Sequence, residues 1–324
     1  MSGYTYPPLS PTLSGDLETI SRFLQSPTQI RRRLRDYRDL RFVSDQILTN
    51  RWNSTGGAAL YEQTEPFLTD RAVQAVAPGS EYPQADLPTG VGGIAAVQKW
   101  GQKVPITDEE IDRNVYAGQI VDRSLQKVVN SIIAQVDNVT MSAIMSTTSL
   151  EVIPTAAWDG TGTQAPTILR DILLAVRHIT AQLQGYKADT LLVSDLMYAF
   201  MMADLTVNNM LRRETTDNPI YTGEIERLAG LVLIHSPHVP NDPLVLDSTQ
   251  FGGMADEVSG APGYAISDLA VQIKSIREDG RDRWVLQGRR ITVPIIQNPN
   301  AACAIVGAAG SDGGGEGAFT GSMS

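Results

Sequence analysis

The chain has 324 residues, 42% hydrophobic and 19% charged, with a net charge of −10, a globular composition rather than a disordered one. No run approaches the roughly 18 consecutive apolar residues of a membrane span, no basic flank and apolar stretch open the chain as in a secretory signal, and Cys303 with His178, His235 and His238 is a poor inventory for disulfides or a transition-metal cage. These counts predict cytosolic synthesis, no membrane partner and stability from packing or assembly, and the charge is uneven: residues 1–51 carry a net +3 and the remainder −13.

Residues 1–13 are rich in Pro and Ser and read as an extended tail. Asp16 to Gln25 places Leu17, Ile20, Phe23 and Leu24 on one helical side, and Ser26-Pro27 supplies a cap and first-turn proline for a second helix over Thr28 to Asp39. That helix carries Arg31, Arg32, Arg33, Arg35 and Arg38. A solvated basic face is the ordinary reading of such a run, docking on an acidic neighbour the next, and nucleic-acid contact the third. The acidic body raises the second, and it would repel a DNA backbone rather than grip it.

From Gly56 to Gly101 the texture is β and turn: Ala58 to Glu65 and Gly93 to Val104 read as strands flanking a long excursion, Arg71 to Pro88. Isolated two-stranded structures are marginal in water, so a hairpin of this length suggests packing on another subunit. At Thr107 the texture changes again. Thr107 and Glu110 have capping-box spacing, Ile106 and Ile111 the spacing of a hydrophobic staple, and Asp108, Glu109 and Glu110 suit the positive end of a helix dipole. Beyond them Ile111, Val115, Gly118, Val121, Leu125, Val128 or Val129, Ile132, Val136, Val139 and Ala143 recur at helical spacing, with Asp112, Arg123, Gln126, Lys127, Asn130 and Asp137 off the stripe. An unbroken helix from Asp108 to Met145 would be roughly 57 Å long, a rod beyond the ~30 Å of a small domain.

Thr147 to Ala165 is turn-rich. Gly160-Thr161-Gly162-Thr163 superficially resembles a dinucleotide loop but lacks the buried strand before it, so an ordinary loop is expected. Pro166 opens a helix with an apolar stripe from Ile168 to Leu183, ending at Gly185; Thr190 to Val193 is a buried strand, and Ser194 an N-cap for Asp195 to Met202. A short helix at Val207 to Arg213 and a loop at Glu214 to Thr222 follow. Strands are predicted at Leu231 to Ile234, Leu244 to Leu246, Ala270 to Ile276, Arg283 to Ile296 and Ala301 to Val306. The loop Arg277-Glu278-Asp279-Gly280-Arg281-Asp282 carries the Asp-Gly hairpin signal, and Gly307 to Ser324 is a glycine-rich tail. His235-Ser236-Pro237-His238 reads as a strand-end turn and Cys303 as a buried structural thiol. No nucleophile elbow, phosphate loop, zinc-protease helix or CxxC pair occurs, so no catalytic, cofactor or metal site is assigned and an enzyme is disfavoured. A nucleotide-dependent enzyme built on the Gly160 loop remains the rival from another class.

The order of parts resembles the major capsid proteins of tailed bacteriophages, the Hong Kong phage type of capsid fold, over about residues 28–308. Lys99 to Glu110 is similar to that family's passage from the extended E-loop into its spine helix. Val76-Ala77-Pro78-Gly79-Ser80-Glu81-Tyr82-Pro83 resembles the E-loop interior, Asp189 to Tyr198 the strand-helix of the axial domain, and Leu228 to Pro240 the passage after the axial loop. The resemblance implies an α+β fold with an N-terminal arm (1–55), a β-hairpin E-loop (56–101), a peripheral domain of spine helix and sheet (102–150 and 264–296), and an α/β axial domain (151–263 and 297–308), before the tail (309–324). It implies hexameric and pentameric capsomers of the chain with itself. Double-stranded DNA would be contained without sequence-specific binding, in a virion assembled in the host bacterial cytoplasm. A separate scaffolding protein, a portal and a decoration protein are the implied partners.

Inter-subunit contacts are expected from the arginines of the arm, from Arg71, Glu81 and Tyr82 in the E-loop, and from Arg277, Glu278, Asp279 and Arg281 in the charged hairpin. Some members weld their shells through an E-loop Lys and a peripheral Asn. Gly56 to Gln98 has no Lys and Arg277 to Arg283 no Asn, so no such weld is expected here. Gly118, early in the spine, serves either a bend during shell expansion or close packing of a neighbour. A cellular nanocompartment shell of the same fold, an encapsulin, is the alternative function.

Overall fold

The computed structural model describes residues 42–63, 65, 68–69, 71–86, 90–113, 117–160, 165–204, 207, 225–258, 261–266 and 270–310. The predicted arm helices, most of the 207–213 helix, the 214–222 loop and the tail beyond 310 lie outside these residues. In chain order the elements are α1 (Val43–Ile47), β1 (Asn50–Asn53), β2 (Ala58–Glu62), β3 (Gly92–Ala96), β4 (Gln98–Thr107), α2 (Asp108–Arg113) and α3 (Ala117–Thr147). Then come β5 (Leu150–Val152), α4 (Ile168–Thr180), β6 (Thr190–Val193), α5 (Asp195–Ala203), β7 (Arg227–Leu228), β8 (Leu231–His235), β9 (Leu244–Leu246) and β10 (Gly252–Asp256). The last are β11 (Ala265–Ile266), β12 (Gln272–Glu278), β13 (Arg283–Ile296) and β14 (Ala302–Ile305).

The described residues form two compact units, those within 42, 98–136 and 256–292 in one, and those within 43–97, 137–255 and 293–310 in the other. In the first, β4, β13, β12 and β11 are consecutive antiparallel neighbours, with Thr107 opposite Arg283 and Glu278 opposite that same Arg283. Side chains directly opposite one another share a sheet face. The face carrying Ile106, Trp284 and Leu286 packs with Ile111 and Val121 of the helices. Gly288 completes this face: a Cβ there would stand 2.6 Å from Val128 Cγ1 and 3.1 Å from Ile132 Cδ1, so the missing side chain lets helix and sheet close up.

The second unit holds a six-stranded mixed sheet in the order β5-β14-β9-β6-β8-β7, with β14/β5 and β6/β8 parallel. Leu191, Val193, Val245, Leu246, Cys303 and Ile305 are fully buried in it, in the near-continuous apolar runs expected of strands covered on both faces. α4 buries Ile168, Ile172, Ala175 and Ile179, and α5 is capped by the Ser194 hydroxyl, which accepts from Met197 N at 3.2 Å. Also in this unit, β2 and β3 form a hairpin in the register Ala58↔Ala96 to Glu62↔Gly92.

The capping box stands as the spacing predicts: Thr107 N donates to Glu110 Oε2 at 3.1 Å and Glu110 N to Thr107 Oγ1 at 3.3 Å, and the staple pair Ile106 and Ile111 share one cluster. The helix expected from Asp108 to Met145 is described over α2 and the 31-residue α3, and residues 114–116 between them lie outside the described residues; α3 alone spans roughly 46 Å at about 1.5 Å per residue. Two expectations need correction. The strand expected from Gly93 to Val104 is two strands parted at Val97, because Val97 N turns to the Gly57 carbonyl while β4 goes to β13. Asp137, expected on the polar side of the helix, is fully buried.

Candidate assembly surfaces

The charged hairpin is anchored by its own chain. Arg277 donates from both terminal nitrogens to the Asp108 carboxylate, the Nη2 bond measuring 2.6 Å, and from Nε to Asp279 Oδ1 at 3.1 Å; its guanidinium also lies over the Trp284 ring, 5.5 Å from the centroid. A planar fork on a carboxylate is the geometry arginine supplies and lysine cannot. The Arg277 hydrogen bonds hold the Asp108 carboxyl below the usual carboxylate range, and Asp108 in return raises Arg277. Asp108 N donates to the carbonyl of Asp282, a residue in the left-handed region at φ 44°, and Arg283 pairs with Glu278 at 2.6 Å. Of the four hairpin residues expected to reach a neighbour, Arg277, Glu278 and Asp279 thus have partners at home, and Arg281 is exposed.

The β2–β3 hairpin has two unlike faces. Ala59, Tyr61 and Ala95 pack with Trp52, Ala255, Val293 and Ile295, while on the other face Leu60 is 81% exposed and its cross-strand partner Ile94 73%. Arg71 and Glu81 are exposed, and Tyr82 is 82% exposed. Gly79 at φ 86° sits in the turn closed by Ser80 N to the Ala77 carbonyl. Arg31, Arg32, Arg33, Arg35 and Arg38 lie outside the described residues.

Two fixtures at the start of the described chain have no counterpart in the sequence analysis. In the first unit the fully buried Arg290 lies 4.1 Å from the Phe42 ring centroid and pairs with Asp256 at 3.2 Å. In the second, Asp137 accepts from Val43 N and Ser44 N, both at 3.1 Å, and from Ser44 Oγ at 2.7 Å. Burial pushes this carboxyl up, against the pull of those three donors. Neither pairing has a local signature, since the partners are far apart in sequence.

The His235 turn is present, with Val239 N donating to the Ser236 carbonyl, and His235 Nδ1 lies 2.9 Å from Asp195 Oδ1 with its ring stacked on Tyr198 at 4.4 Å. Among the described residues no group of three or more His, Cys, Asp or Glu could hold a metal ion. None of the described helices is long and apolar enough to cross a membrane. Cys303 is buried, and desolvation pushes its thiol up to about 12.

A long helix packed on an antiparallel sheet, a hairpin with an exposed apolar face and an α/β unit are the parts that the resemblance to a shell subunit implies. The family of phage capsid proteins matches residues 92–305, and the chain belongs to that family: it is a major capsid protein of a virion shell. No curated protein matches. The fold is similar to the capsid of cyanophage P-SCSP1u, at 14% identity and a TM-score of 0.57, covering 82% of this chain and 88% of that one. It is also similar to a virus-like particle from Pyrococcus furiosus (12%, 0.55, 86% and 98%) and to a Microbacterium phage Oxtober96 chain (12%, 0.52, 81% and 90%).

Proposed function

We propose that the chain builds hexamers and pentamers of the Hong Kong phage type, closing into an icosahedral head that encloses double-stranded DNA. The observation that carries this reading is the family match over 92–305, which takes in the second hairpin strand, α2, α3 and every strand from β3 to β14. The boundaries of arm, E-loop, peripheral domain and axial domain are those the resemblance implies. On this reading the apolar outer face of the hairpin, Leu60 and Ile94, is covered by a neighbouring subunit. Burying two such side chains contributes roughly 1.5–3 kcal/mol each. The arm arginines, Arg71, Glu81, Tyr82 and Arg281 form contacts between copies, whereas Arg277, Glu278 and Asp279 chiefly shape the loop that presents Arg281.

The protein acts as a structural subunit, without catalysis. Assembly takes place in the host bacterial cytoplasm with a separate scaffolding protein, a portal and, in the absence of a Lys–Asn weld, a decoration protein or ionic contacts. A net −13 beyond residue 51 suits an inner wall that keeps packaged DNA from adhering, because a phosphate backbone is gripped by cations and released by acids. The likeness to a virus-like particle means that the fold by itself does not separate a phage head from an encapsulin-type compartment. Nucleic-acid content decides between them: heads from infected cells hold a duplex genome, and shells that hold a protein cargo and no genome overturn the phage reading. Deleting residues 1–50 leaves soluble capsomers if the arginine arm clasps a neighbour, and closed shells of normal size from that truncation refute the clasp.

A further inference from the structure

Helix α4 turns one face to its own unit, burying Ile168, Ile172, Ala175 and Ile179. A second apolar row runs along its outer side. Leu169, Leu173 and Val176 have the i, i+4, i+7 spacing of one helical face, and Leu173 is exposed. Arg170 and Arg177 stand three residues before Leu173 and four after it, both exposed, so cations flank the row. Arg170 Nη1 donates to Thr155 Oγ1 at 3.2 Å, and neither arginine is in an ion pair among the described residues. The one acid of the helix, Asp171, is buried and accepts from Trp158 Nε1 and Thr167 Oγ1. The outer side of α4 is therefore apolar and basic, in a protein of net charge −10.

Just past the helix, Leu183 is 68% exposed with φ at 54°. A side chain in the left-handed region is strained, and an apolar one in water gains nothing in return. A partner that covers Leu183 gives the leucine a reason to be there.

A fitting cover lies in the same chain. The described chain ends beside the first turn of α4: Trp158 N donates to the Ala308 carbonyl at 2.8 Å, while the indole Nε1 of Trp158 donates to Asp171 at 3.1 Å. Beyond Gly310, residues 311–324 hold the acids Asp312 and Glu316, no Lys or Arg, and the large apolar side chains Phe319 and Met323, spaced by glycines. We infer that the 311–324 segment folds back over α4 of its own subunit, Phe319 on the Leu169, Leu173 and Val176 row and its acids beside Arg170 and Arg177.

Reach and charge both favour this occupant. A glycine-rich chain from Gly310 to Phe319 spans roughly 15–18 Å on average, and α4 is about 20 Å long. Such a short tether gives an effective concentration of about millimolar, so a weak contact forms within one subunit where separate subunits at micromolar concentration would stay apart. The N-terminal segment, with Arg31, Arg32, Arg33, Arg35 and Arg38, has the same sign as Arg170 and Arg177 and is repelled. The inference goes beyond the shell-subunit reading and does not depend on it, since it concerns a single chain.

The test is disulfide trapping in the full chain, kept as unassembled subunit at about micromolar concentration. Thr180→Cys and Thr320→Cys place one thiol on the exposed end of α4 and one beside Phe319; the native Cys303 is buried and does not compete. Oxidation is expected to close an intrachain disulfide roughly ten-fold faster than in the same protein carrying Phe319→Ser, which keeps the tether and loses the anchor. Arg170→Glu with Arg177→Glu should slow closure too, and adding Asp312→Lys with Glu316→Lys should restore it. Circular dichroism and thermal melting check that each variant folds; if the charge variants do not, the Phe319→Ser comparison alone decides. Equal rates with and without Phe319 overturn the inference, because the tether then acts alone. Absence of an intrachain bond in a folded chain overturns it as well. Equally fast cross-linking between two chains that each carry one of the new cysteines overturns it in favour of a second copy.

Discussion

Removing the Asp137 carboxylate should loosen the segment at Val43 and Ser44. In Asp137→Ala the Val43 and Ser44 amides and the Ser44 hydroxyl lose their acceptor inside a fully buried site. An unsatisfied buried donor costs about 1–3 kcal/mol, the hydroxyl can rotate elsewhere, and losing a buried charge gives back part of its desolvation, so the net loss is about 2–3 kcal/mol. In a unit of this size that lowers Tm by roughly 5–10 °C. Thermal and urea unfolding of the unassembled subunit measure it, and a loss under about 0.5 kcal/mol would refute the reasoning. The pH dependence supplies a second check. Burial raises the folded-state pKa of Asp137 above its ordinary 3.8, so the native state binds this proton more tightly than the unfolded chain does. Its contribution to stability is therefore least at neutral pH and grows as pH falls through the raised pKa toward 3.8. Against Asp137→Asn, which does not titrate, the wild type should gain over that window; a gap that narrows instead contradicts the assignment of burial as the main cause.

Three further outcomes follow from the geometry. Thr107→Ala removes the hydroxyl that accepts from Glu110 N and should cost about 1 kcal/mol in subunit unfolding, with Thr107→Ser restoring most of it. Gly288→Ala places a methyl group 2.6 Å from Val128 Cγ1 and should cost about 1–3 kcal/mol by overpacking, partly recovered in combination with Val128→Ala. Cys303, with its thiol pushed up to about 12, should resist iodoacetamide at pH 8 in the folded subunit and react on unfolding; rapid labelling of native protein contradicts its burial.

The parts of the fold that were legible in the sequence are those written in short-range chemistry. Thr107 and Glu110 are three residues apart, Ser194 caps the helix that begins one residue later, and Thr190 to Val193, Leu244 to Leu246 and Arg283 to Ile296 stand out as apolar or β-branched runs whose ends coincide with β6, β9 and β13. β10 (Gly252–Asp256) was not predicted, since Gly252 and Gly253 carry no strand signal. They are glycine for a sheet reason: a Cβ at either would stand 2.2 Å from the carbonyl oxygen of Ile295 or of Asn50. Asp137 was misplaced for a similar cause. A carboxylate in a helical pattern reads as solvent-facing, and the two amides it caps come from a segment more than 90 residues earlier. The hairpin charges were visible, but not that Arg277 would fold back on Asp108, 169 residues before it in the chain.

Electron microscopy of the purified chain at assembly concentration tests the central claim most directly. Closed shells of six-fold and five-fold capsomers are expected, each subunit contributing its α3 helix and β2–β3 hairpin to the wall. A protein that remains a discrete monomer or a small non-shell oligomer, at every salt and concentration tried, would contradict it.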